Sequence, residues 1–185
     1  MKKDNIIAII TGPSAVGKTT ITKILLKKLK NFKPSITYTT RKKRKGEKED
    51  KIINYISKKK FRKLIDENIF LEWAQIYNNF YGTVKKETLK ILKKNNVLLN
   101  IDTQGALIIK KKHLKCLTIF IMPESIKNLE KRLEKRKISQ TIIKKRLNHA
   151  KNEILKSKKF DYIITNYNNH LNLTIEKLLR ILTKY

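Results

Sequence analysis

"GPSAVGKT" occupies residues 12–19, and its glycines, lysine and hydroxyl fall where a phosphate-wrapping loop needs them. The stretch fits G-x-x-x-x-G-K-[ST], in which successive backbone N–H groups cradle a phosphate chain and the lysine reaches its outer phosphates. Gly12, Gly17, Lys18 and Thr19 hold the fixed positions, and Pro13, Ser14, Ala15 and Val16 fill the span between them. Such a loop works only where a strand ends and a helix begins, because the helix then aims its positive end at the anion. Both flanks fit. Upstream, "NIIAII" (5–10) is a short apolar, β-branched run suited to a buried parallel strand. Downstream, Ile21, Ile24, Leu25 and Leu29 recur at helical spacing with lysines on the other face. The expected fold is therefore α/β, with a nucleotide phosphate held near the chain's start.

The 185 residues suit one domain with a sizeable core. Lys and Arg number 45 against 15 Asp and Glu, a net charge of +30, which ordinarily points to nucleic acid or an anionic membrane surface. Here the lysines are spread along the whole chain and accompany abundant isoleucine and asparagine, residues whose codons are A/T-rich. Compositional drift accounts for that pattern, and no specific nucleic-acid partner is expected. The single cysteine, Cys116, rules out an internal disulfide and suits a reducing cytosol; beside Leu117 and Ile119 it reads as a small buried hydrophobe. No apolar run near the N-terminus is long enough for a signal peptide or a membrane span. A soluble, cytoplasmic protein is expected.

Further apolar runs at "VLLNI" (97–101), "LTIFIM" (117–122) and "YIIT" (162–165) alternate with helical patterns, which implies a parallel sheet. After Pro123 and a Ser125 cap, Ile126, Leu129 and Leu133 form a thin apolar stripe, with Arg132 and Arg136 one turn apart. So thin a stripe is expected to bury little and to leave the segment free to move. Leu171, Ile175, Leu178, Leu179 and Leu182 mark a last amphipathic helix packed on the sheet. Between residues 31 and 95 the alternation stops and hydroxyls, arginines and aromatics take over, as a lobe for a second substrate would require. Arg41 and Arg44 in "TTRKKR" are fork-shaped donors suited to phosphate oxygens, or else solvated members of a basic run. Glu72, between Leu71 and Trp73, needs a partner for its carboxylate: either one of the many lysines or a ligand with adjacent N–H donors.

In order and spacing, "GPSAVGKT", "TTRKKRKGE", "NYIS", "FLEWA", "YGT", "NIDTQG", "RLEKR", "KKRL" and "DYIITN" resemble the guanylate kinases, P-loop nucleoside monophosphate kinases that move the γ-phosphate of ATP to GMP. The resemblance runs over nearly the whole chain and implies one domain (about 4–184): a parallel-sheet core, an inserted GMP-binding lobe (about 36–95) and a mobile helical lid (about 125–150). It implies that Arg41, Arg44 and Tyr81 grip the GMP phosphate. Glu72 would accept the N1–H and exocyclic amine of guanine, with Thr37, Thr83 and Asp102 as further contacts. Lys18, Arg132, Arg136 and Arg146 would neutralise the transferring phosphoryl. Thr19 would hold Mg²⁺ bound with ATP, and Asn166 would lie near the adenine or ribose. The protein would be a monomer or homodimer. Four positions depart from the family pattern: Ile53 replaces a phosphate-binding tyrosine, Ala15 a loop glycine, Asn100 an acidic residue, and Lys137 a glycine after Arg136. Scaffold modules of similar fold usually have an eroded phosphate loop, whereas Lys18 and Thr19 are both present here.

Overall fold

The computed structural model describes residues 4–43, 52–112, 114–136 and 138–185. Arg44 and Lys137, singled out above, lie outside the described residues, as do Gly46 and Glu47 at the end of "TTRKKRKGE". The core is a five-stranded parallel sheet. Its strands are β1 (Ile7–Thr11), β2 (Phe32–Pro34), β7 (Asn96–Asn100), β8 (Cys116–Pro123) and β9 (Tyr162–Asn166), in the spatial order β2-β7-β1-β8-β9. The central strand β1 is buried along its whole length, as a parallel strand covered on both faces must be.

Alternation along β1 divides the core in two. Ile6, Ala8 and Ile10 face a layer made by α1 (Lys18–Lys28), α5 (Ile126–Glu134), α6 (Gln140–Leu155) and α7 (Leu171–Leu182), which contribute Leu25, Leu129, Leu147 and Leu178 among others. Ile7 and Ile9 face the opposite layer, where α4 (Thr103–Lys111) adds Ala106 and Ile109, and Phe120 stacks on Phe160 at 5.5 Å. The stripe on α5 is thin but buried: Leu129 and Leu133 are each 1 % exposed, inside the main core. The expectation that this segment buries little does not hold, because α5 also packs on α6. Cys116 is half-buried against the second layer, and burial pushes its thiol pKa up.

Residues 37–92 leave the core as β3 (Thr37–Thr39), β4 (Ile53–Tyr55), α2 (Lys58–Asp66), β5 (Phe70–Ile76), β6 (Asn79–Val84) and α3 (Lys85–Leu92). The four strands form a second sheet in the order β4-β3-β6-β5. Phe61 of α2 stacks on Phe70 (4.6 Å) and on Phe80 (5.3 Å), giving this sheet its own small core. Leu71 of β5 packs instead into the second layer of the main core, so the lobe is anchored where Glu72 begins to face the cleft.

Candidate active site

The phosphate loop runs from the end of β1 into α1. Gly12 and Gly17 take φ values of +131° and +106°, and both are closely approached: a Cβ on Gly12 would strike the Ile121 carbonyl, and one on Gly17 would strike the Asn166 amide. Ala15 stands at φ +67°, so the loop keeps a left-handed residue where the family pattern has glycine, at a cost of about 1 kcal/mol. Lys18 Nζ donates to the carbonyls of Gly12 (2.5 Å) and Pro13 (3.0 Å). Burial lowers its pKa, opposed by the charges of Glu153 and Asp102.

The loop is braced from behind. Buried Asn166 donates Nδ2 to Val16 O (2.8 Å) and accepts from Thr174 (3.0 Å), so its side chain holds the loop from the end of β9. Arg132 reaches in from α5 and donates Nη1 to Val16 O (3.1 Å) and Nη2 to Asn168 (2.6 Å). Arg136 and Arg146 line the same cleft. Thr19 is exposed at its floor, with the Asn100 amide 3.4 Å from its hydroxyl. A lone hydroxyl fits a Mg²⁺ ion whose other ligands are phosphate oxygens and water; among the described residues no cluster of three or more His, Cys, Asp or Glu could hold a metal.

The lobe's second sheet forms the far wall. Its register sets Ile53, Thr37, Thr83 and Glu72 in one row across β4, β3, β6 and β5, and Tyr55, Thr39, Tyr81 and Ala74 in the row two residues on. Ile53, Thr37, Glu72 and Tyr81 line the cleft. Glu72 is only 4 % exposed and accepts a 2.6 Å hydrogen bond from the Thr83 hydroxyl. Burial pushes its carboxyl from an ordinary 4.5 up to about 7, against the lowering effect of that hydrogen bond. Among the described residues its carboxylate has the Thr83 hydroxyl as hydrogen-bond partner and forms no salt bridge with a lysine, although the Lys112 charge also favours its ionised form. Asp102 caps α4 through Gln104 N (2.7 Å) and Gly105 N (3.3 Å), and burial raises its carboxyl as well. Arg41 sits at the rim, its Nη2 3.5 Å from the Tyr55 hydroxyl and its guanidinium over that ring at 5.3 Å.

One continuous cleft of about 980 Å³ therefore joins the loop, Thr19, Arg132, Arg136 and Arg146 to Thr37, Arg41, Glu72, Tyr81 and Asp102. Among the cleft residues that sequence reasoning passed over are Tyr77, His149 and Glu153. Glu153 is 6 % exposed, accepts from Thr103 Oγ1 (2.7 Å) and pairs with His149 Nδ1 (3.1 Å), which raises the imidazole's pKa. A carboxylate three residues after Ala150, on the stripe of Ile143 and Leu147, was the available signal.

A family model for guanylate kinase matches residues 4–185. The chain is 40 % identical over 184 residues to a guanylate kinase of Caldanaerobacter subterraneus subsp. tengcongensis, covering 98 % of this chain and 88 % of that one. It is 44 % identical over 172 residues to one of Blochmanniella floridana, covering 90 % and 81 %. Its structure superposes on the crystal structure of guanylate kinase from Anaplasma phagocytophilum with a TM-score of 0.81 at 30 % identity, covering 99 % and 87 %.

Proposed function

The chain belongs to the guanylate kinase family, and from that premise we propose that its cleft is where the γ-phosphate of ATP passes to GMP. The enzyme is an ATP:GMP phosphotransferase, and the residue roles below are our assignment. The observation that carries the assignment is Glu72. It is a buried carboxylate tied to Thr83 on the lobe wall, across one cleft from the Lys18 loop.

GMP enters with its base against the Glu72 row and its phosphate toward Arg41, Arg44 and Tyr81. Ionised Glu72 accepts guanine N1–H and the exocyclic amine, while Thr37, Thr83 and Asp102 contact the rest of the base edge. Adenine has no N1–H and would leave the buried carboxylate unpaired, which is a strong basis for rejection. ATP lies along the Gly12–Gly17 loop with its adenosine toward Asn166. Lys18 leaves the loop carbonyls for the outer phosphates, and Arg132, Arg136 and Arg146 neutralise charge as the phosphoryl group moves. Thr19 would hold Mg²⁺, which would supply positive charge to neutralise the phosphate oxygens. Closing of α5 and α6 over the cleft excludes water that would otherwise take the phosphate. A reducing cytosol, suited to the lone Cys116, is the proposed compartment.

The test is release of ADP from ATP with GMP, AMP, CMP and UMP offered in turn. GMP is expected to be the preferred acceptor. AMP in that place would overturn the assignment of Glu72.

A further inference from the structure

The hairpin joining β5 to β6 has a two-residue loop, since Ile76 pairs with Asn79. Tyr77 takes its first position at φ +55°, while Asn78 is not among the residues of positive φ. A positive φ in so short a hairpin loop belongs by preference to glycine, asparagine or aspartate. A bulky tyrosine strains the backbone there, and a strained residue facing a functional cleft asks for a reason in its side chain.

The side chain supplies one. Although Tyr77 is 42 % exposed, its ring reaches across the cleft to α6. The Arg146 guanidinium lies over it at 5.7 Å, and the His149 ring packs against it at 5.4 Å, tilted by 53°. Arg146 and His149 are three residues apart and so share one side of α6. One turn further along that same side, Glu153 holds both His149 and Thr103 of α4, which fixes α6 against the core. Arg146 Nε is buried and makes no hydrogen bond among the described residues. An arginine so placed keeps a donor for an anionic acceptor while its flat face rests on an aromatic ring.

We propose that Tyr77 is a positioning residue for phosphoryl transfer, presenting the Arg146 guanidinium to the phosphate end of the cleft when lobe and lid meet. This rests on the assignment of Arg146 to the transferring phosphoryl. Because Tyr77 stands on the lobe and Arg146 on α6, the contact makes correct placement of the arginine depend on the two parts coming together. The ring acts through its face, so its hydroxyl is dispensable.

The experiment compares Tyr77→Gly, Tyr77→Phe, Arg146→Ala and the double variant Tyr77→Gly/Arg146→Ala by steady-state kinetics and thermal unfolding. Tyr77→Gly relaxes the backbone at φ > 0, so its Tm should stay level or rise while kcat falls about 3- to 30-fold, the span of a cation–π contact. Tyr77→Phe should restore kcat to within about 2-fold, and KM for both substrates should move less than kcat. In the Arg146→Ala background the glycine substitution should cost nothing further, as two residues acting through one contact require. A wild-type kcat for Tyr77→Gly, or an equal loss with and without Arg146, would overturn the proposal. A wild-type kcat for Arg146→Ala would instead remove the assignment of the arginine, and is read from that variant alone.

Discussion

Glu72 meets two opposed demands. In its proposed role as guanine acceptor the carboxylate must be ionised, yet burial favours the protonated form and moves the pKa to about 7. With the folded value raised above the ordinary 4.5, the native state keeps a proton that the unfolded chain has released. The stability contributed by this group is therefore fully present below about 4.5 and is lost as the pH rises through about 7. At about pH 8 Glu72→Gln should accordingly unfold at a higher temperature than the natural protein, because it removes a buried charge and keeps an acceptor for Thr83. The same substitution should raise KM for GMP far more than KM for ATP, since an amide cannot accept both guanine donors. In the natural protein KM for GMP should climb as the pH falls below about 7 while KM for ATP stays level. Equal losses for both substrates together with a lower Tm would mark Glu72 as a purely structural residue. Sequence alone located this residue, because a carboxylate between Leu71 and Trp73 is conspicuous. It could not single out His149 or Tyr77, which meet only through a contact between segments about seventy residues apart.

Strand β4 shows what an element adds to its residues. Pairing puts Ile53 in line with Thr37, Thr83 and Glu72, so an aliphatic side chain stands on a wall otherwise furnished with hydroxyls and a carboxylate. Two residues on, Tyr55 shares its face and reaches Arg41 rather than the Glu72 row. A hydrogen bond to a charged group contributes roughly 1.5–3 kcal/mol, so Ile53→Tyr should lower KM for GMP by about 10-fold or more, at roughly 1.4 kcal/mol per decade. KM for ATP should hardly change. Tyr55→Phe should raise KM for GMP a few-fold by loosening Arg41; if neither variant moves KM, β4 does not face the phosphate. The core strands β1, β7, β8 and β9 were legible from apolar runs bounded by polar residues, and Ser125 did cap its helix, accepting from Asn128 N. Strand β2 was not: three residues ending in proline, with Lys33 exposed, carry no periodic signal, and only pairing with β7 makes them a strand. The lobe's sheet was hidden for a similar reason, since β3 and β4 have three residues each and take their partners from β6 and from each other.

At the scale of the whole molecule, +30 is left standing on 185 residues, and the fold does little to cancel it. Three of the fifteen acidic residues, Glu72, Asp102 and Glu153, line the cleft rather than the surface. Among the described residues, surface ion pairs such as Lys63–Glu67, Lys110–Asp161 and Lys115–Asp4 engage single lysines on different elements. The remaining cations repel one another through water, which destabilises the compact state. They also surround a cleft whose two substrates are anions, and so raise the rate at which those substrates arrive. Added salt should separate these effects, because the Debye length falls from about 20 Å near 20 mM to about 7 Å near 200 mM ionic strength. Over that range Tm should rise by several degrees as self-repulsion is screened, while kcat/KM for GMP and for ATP both fall as attraction is screened. Sodium chloride serves as the probe, since sulfate and phosphate would bind the loop and stabilise by occupancy instead. A Tm that is flat across the range would mean that the positive charges are already compensated locally, and the excess lysine would then be a property of composition with no energetic consequence for this fold.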